Sequence, residues 1–160
     1  MPVFQYTAMD SSGKEKKGRM EAANEQAVNA ALKQGAGIAL FTLEMSAEQV
    51  VQRMLSALTG IGAQKLHLGQ IDGSQWSRIQ QDSNTLSETN IFIDDSPSPS
   101  PTEIRTKARR LAAEVKLDLV IIDYLQLMQA GERRSENRVQ EISFITRSLK
   151  ALARELKVPV

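Results

Sequence analysis

The chain has 160 residues, of which 41% are hydrophobic and 24% charged, ordinary usage for one globular domain with room for a real core. A formal net charge of +1 excludes a global electrostatic pull toward nucleic acid, so any such surface must be local. With no cysteine there are no disulfides or thiolate metal sites, and with no apolar run near the roughly 18 residues that span a bilayer and no signal-peptide pattern, a soluble, cytoplasmic chain is expected.

From Met1 to about Gly35 the pattern is ββα. Val3 to Met9 has β-type residues, Asp10-Ser11-Ser12-Gly13 reads as a turn, and Lys14 to Glu21 returns as a charged strand. Asn24 can cap a helix with Ala27, Val28, Ala31 and Leu32 on one face and Gly35 at its end. Beyond Gly37 strands and helices alternate. Ile38 to Leu43 is a strand, Ser46 a candidate N-cap, and Val50, Met54, Leu55 and Leu58 form an apolar stripe closing at Gly60. A polar stretch with the only His and Trp follows, and Ser74 to Ser87 is predicted as a helix around Trp76 and Ile79, with Trp76 packed and His67 at the surface or a helix end. Ile91-Phe92-Ile93-Asp94-Asp95 is a second strand. Ser96 to Pro101 reads as a loop, and Thr102 is predicted to cap a basic helix with Ile104, Ala108, Leu111 and Ala112 inward and Arg105, Lys107, Arg109 and Arg110 largely outward. Leu117 to Asp123 is a third strand, Ala130 to Asn137 a charged loop and Val139 to Leu156 a long helix. Lys157-Val158-Pro159-Val160 is expected to open another strand.

Three of these apolar runs end in acid, at Glu44, at Asp94-Asp95 and at Asp123. Unbroken apolar runs separated by helix-length segments predict strands buried on both faces of a parallel sheet, and acids at their carboxyl ends face the crevice where open α/β sheets bind ligands. Asp123 after Leu119-Val120-Ile121-Ile122 has the form of a Walker B strand, whose carboxylate holds a Mg²⁺-bound water beside a triphosphate; a simple strand end has the same form. Glu44 can act as a general base on water or as a helix N-terminal charge favoured by the macrodipole. Arg133, Arg134, Asn137 and Arg138 place positive charge and donors in the loop after the Asp123 strand. That loop can follow a nucleic-acid backbone or be a solvated loop with Glu132 and Glu136.

Leu43-Glu44-Met45-Ser46, Ile91 to Asp95, Lys107 to Leu111, Val120 to Met128, Ser135 to Arg138 and Arg147 to Leu156 together resemble the C-terminal RecA-like motor domain of bacterial replicative DNA helicases of the DnaB family. They occur in that family's order and spacing over residues 37–160. The resemblance implies an α/β, partial RecA-like P-loop NTPase core with a mostly parallel sheet. It also implies a cytoplasmic homo-hexamer driven by ATP and Mg²⁺ along single-stranded DNA, with primase and a helicase loader as partners. Glu44 would be the catalytic glutamate and Asp123 the Walker B acid. Arg133, Arg134, Asn137 and Arg138 would face the central channel.

One departure bears on the chemistry. The family has a strand and a Gly-rich Lys-Ser/Thr phosphate loop just before the strand ending in Glu44. Here Ser11-Ser12-Gly13-Lys14 is followed by Glu15, lacks the first Gly of G-x-x-x-x-G-K-[ST] and opens no helix. Residues 1–35 instead resemble the start of the inner-membrane platform protein of type II secretion and type IV pilus systems, through Phe4-Gln5-Tyr6-Thr7-Ala8, Asp10, Gly13-Lys14, Gly18 and Glu21-Ala22. The expectation is therefore a chimeric chain. A small ββα unit of different origin over 1–36 precedes a truncated helicase domain over 37–160, inactive alone, with a non-enzymatic platform fragment as the alternative.

Overall fold

The computed structural model describes residues 3–9, 15–21, 35–129 and 138–160. Strands β1 (Val3–Met9) and β2 (Glu15–Glu21) pair antiparallel, with Val3 opposite Glu21 and Met9 opposite Glu15, as a two-stranded sheet. The helix expected from Asn24 onward lies outside the described residues.

A parallel sheet follows, built from β3 (Ile38–Thr42), β4 (Ile91–Asp94) and β5 (Leu119–Asp123) in the order β4-β3-β5. Its helices are α1 (Ala47–Thr59), α2 (Ala63–His67), α3 (Gly73–Ser87), α4 (Pro101–Glu114) and α5 (Arg138–Leu156), with a 3-10 turn at Leu125–Leu127. β3 is central and all five of its residues are buried, which is why it reads as an unbroken apolar run. Its two-residue period divides the core. Ala39 and Phe41 pack with Ile104, Ala108, Val120, Ile145 and Leu152 under α4 and α5. Leu40 packs with Val50 and Met54 under α1, joined by Leu86, Ile91, Ile93 and Ile121. Helices thus cover both faces of the sheet, the expected α/β arrangement.

At the entry to β3, Gly37 leaves no room for a side chain, since a Cβ there would stand 2.0 Å from the Lys116 carbonyl oxygen. The close approach lets Gly37 N–H donate to Asp118 Oδ2 (3.0 Å) while its carbonyl accepts from Asp118 N–H (2.7 Å), tying β3 to the start of β5. On the β5 edge away from β3, Val120 N–H donates to the Pro159 carbonyl at 3.0 Å, where the chain was expected to open another strand.

Several local expectations change. Ser46 caps α1 as predicted, in a capping box with Gln49, and Gly60 ends it at φ 68°. The basic helix is capped by Ser100, not Thr102: Pro101 takes the first helical position, where its missing N–H costs nothing, and Ser100 exchanges hydrogen bonds with Glu103. α3 begins at Gly73 under Asp72, whose carboxylate accepts from Gln75 N–H (2.8 Å) and the Ser74 hydroxyl (2.6 Å). No residue of α3 is buried, and Trp76, expected to pack, is 55% exposed, because this helix has too few apolar positions to bury a stripe. His67 lies exposed in the last turn of the short α2.

Candidate functional site

The carboxyl ends of β3 and β5 meet. Thr42 is in register with Asp123, and Leu43 N–H donates to the Asp123 carbonyl at 2.7 Å, so pairing runs one residue beyond β3 and brings Glu44 to the edge that carries Asp123. By the strand period Asp123 shares a face with Leu119 and Ile121, the α1 side of the sheet. The turn carrying Glu44 is closed by Thr42, whose hydroxyl donates to the Met45 carbonyl (2.9 Å) and accepts from Met45 N–H (3.2 Å). Glu44 is exposed, and no described residue pairs with it. Asp123 is half-buried, and its peptide bond to Tyr124 is cis.

The third acid pair is committed to structure. Asp94 lies on the opposite face, where Lys107 of α4 approaches its carboxylate to 2.6 Å and also donates to Ser96 Oγ at 2.7 Å. Burial opposes ionisation of Asp94, yet hydrogen bonds from Lys107 and Ser96 hold its carboxyl below the ordinary value. Asp95 Oδ2 accepts from Ala47 N–H at 3.0 Å and so helps cap α1. Of the acid ends predicted from sequence, Glu44 and Asp123 are the two brought to one edge of the sheet.

The described residues do not fit a triphosphate. A helix N-terminus holds phosphate through unsatisfied amides, but at α1 the Ala47 amide is taken by Asp95 and the Gln49 amide by Ser46 Oγ. Glu15, next after Gly13-Lys14, begins strand β2, so that segment leads into a strand where a phosphate loop leads into a helix. Among the described residues no group of three His, Asp or Glu could cage a metal ion. Mg²⁺ needs no cage when one or two carboxylates act with substrate phosphates.

Arg133, Arg134 and Asn137 lie outside the described residues. Arg138 opens α5, and its guanidinium points back, donating to the Gln126 carbonyl in the 3-10 turn and to the Glu141 carboxylate. The sequence signal available for this was the Arg138–Glu141 spacing of three on one helix face. Nothing in the sequence marked Gln126.

Residues 8–160 match the family described as DnaB-like helicase C terminal domain. The replicative DNA helicase DnaB of Geobacillus stearothermophilus is 50% identical over 134 residues, which is 84% of this chain and 30% of that protein. The chain thus spans about a third of the length of such relatives. Among solved structures, one titled as a DnaB-like replicative helicase and its interactions with primase superposes with a TM-score of 0.79 at 30% identity, covering 86% of this chain and 33% of that one. A second, an ATPase domain, gives a TM-score of 0.76 at 29% identity, covering 86% of this chain and 50% of its own.

Proposed function

Since this chain belongs to the family of DnaB-like helicase C-terminal domains, we propose that residues 37–160 derive from the ATP-driven motor of a replicative helicase and do not hydrolyse ATP by themselves. The observation that carries the reading is the placement of Glu44, just beyond β3, at the sheet edge where β5 ends in Asp123, the places held in that lineage by the water-activating glutamate and the acid of a magnesium-bound water. Phosphoryl transfer is catalysed almost wholly by phosphate positioning and charge neutralisation, and the sequence has no G-x-x-x-x-G-K-[ST] loop to supply the first. Single-stranded DNA as ligand, a homo-hexamer as assembly, primase and a helicase loader as partners and the cytoplasm as location belong to the same proposal. The primase named with one structural relative supports its partner term. The division of the chain near residue 36 is also proposed, supported by the separate sheet of β1 and β2, although the family match extends back to residue 8.

Phosphate release from ATP by the purified chain should stay at background with or without Mg²⁺. Magnesium-dependent turnover abolished by Glu44→Gln would overturn the inactive reading. DNA contact through the loop is tested separately, by fluorescence anisotropy of a labelled single-stranded oligonucleotide at low salt. Ala at Arg133 and Arg134 should weaken binding strongly, whereas Ala at Arg105, Arg109 and Arg110 should change it little. The reverse pattern would move the DNA surface to α4.

A further inference from the structure

The outward face of α5 carries a row of cations, with Glu155 beside it. Arg147, Lys150 and Arg154 are all exposed, and among the described residues no carboxylate pairs with any of them. Arg147 Nε–H donates to the Ser143 carbonyl at 3.0 Å, which steadies the side chain along the helix and leaves its terminal nitrogens outward. The acids of this helix are engaged elsewhere. Glu141 holds Arg138 at the start of α5, and Glu155 is held by Arg105 (2.7 Å) and Arg109 (3.0 Å) of α4. In a chain with a net charge of only +1, this local surplus arises from placement. Glu141 is held by Arg138, and Glu155 by Arg105 and Arg109, while Arg147, Lys150 and Arg154 meet solvent.

The geometry points to a phosphate-backbone contact for single-stranded nucleic acid along Arg147, Lys150 and Arg154 of α5. It rests on the helicase reading above and extends it to a surface outside the loop. The row spans about 10 Å at 1.5 Å per residue, on a helix anchored through buried Ile145 and Leu152. Such a line of fixed positive charge suits a flexible polyanion, which it binds without reading sequence. A protein partner is the poorer fit, because interfaces centre on aromatic and apolar anchors, and the only side chain between these cations on the same face is the small Ala151. A lipid surface fails for the same want of apolar anchors.

The test is an anisotropy titration of the full chain with labelled oligo-dT across a salt series. Each phosphate contact on a single strand contributes about 0.7 to the salt slope. Changing Arg147, Lys150 and Arg154 together to Gln should therefore flatten the slope by about 2 and lower affinity at low salt by about tenfold or more. Lys150→Glu alone should weaken binding in the same direction, and Arg147→Lys with Arg154→Lys should preserve it, so a folding defect in the triple variant would not hide the answer. Parent-like binding by the triple-Gln variant, with loss on changing Arg133 and Arg134, would overturn this surface and leave the helicase reading standing. No binding by the parent would overturn both. Equal binding of poly-glutamate, lost in the same variant, would reassign the row to an acidic protein.

Discussion

Arg138 donates through one guanidinium nitrogen to the Gln126 carbonyl, three residues past Asp123, and through another to Glu141. The end of β5 and the start of α5 are thereby joined across the segment that carries Arg133 and Arg134. A guanidinium held this way contributes to stability first. Arg138→Ala should lower unfolding free energy by about 1 kcal/mol, measured by urea denaturation, and should reduce oligonucleotide affinity less than Ala at Arg133 and Arg134. A loss of affinity equal to theirs, with unchanged stability, would place Arg138 on the nucleic acid.

Gly37→Ala should destabilise the chain by about 1–3 kcal/mol or more, the range for overpacking a fitted site. The added methyl would meet a backbone carbonyl, not the movable end of a side chain, so β3 or the Lys116–Asp118 segment must shift. Chemical denaturation should show the loss. A melt indistinguishable from the parent would mean that the strand entry relaxes freely.

Ile145 is fully buried between α5 and the sheet. Ile145→Ala should cost about 2–5 kcal/mol from lost transfer energy and the cavity left behind. Val139→Ala at the exposed start of the same helix, where Val139 is 71% exposed, should change stability by less than about 0.5 kcal/mol. Comparable losses for the two would show that α5 is not docked through its Ile145 face.

The Asp94–Lys107 pair predicts a pH dependence with a definite sign. The Asp94 carboxyl is held below its ordinary value in the folded chain, so its contribution is present at neutral pH and is lost as pH falls through that lowered value. Lys107 is 41% exposed at its side chain, so screening limits the contribution to about 1 kcal/mol or less. Thermal melts of Asp94→Asn and the parent should differ most near neutral pH and converge once the pH has fallen through the lowered Asp94 value. A gap that widens on acidification would mean that the pair does not stabilise the fold.

Much of the fold was legible because its signals are local. β3, β4 and β5 are short apolar runs bounded by acid, α1 carries a cap, a stripe and a terminal glycine in sequence, and α5 keeps its apolar positions in phase over nineteen residues. α3 was legible only in outline. With so few apolar positions, composition could not say whether Trp76 packs, and the cap lies at Asp72, two residues before the start predicted at Ser74. Ser100 and Thr102 likewise offer equivalent hydroxyls, and Pro101 decides between them by fitting the first turn and no later position.

The sequence by itself determined the strand-helix alternation, the burial of β3 and the placing of acids at strand ends, since each depends on spacing and side-chain type within a few residues. Only the tertiary structure decided what each of these acids meets. Asp94, Asp95, Glu44 and Asp123 look alike in one dimension, but the period of β4 turns Asp94 toward Lys107 on α4, and the order β4-β3-β5 sets Asp95 beside the first amide of α1. Glu44 and Asp123 end on paired strands. These placements depend on contacts between residues far apart in the chain, where sheet order and helix docking determine which groups each carboxylate meets.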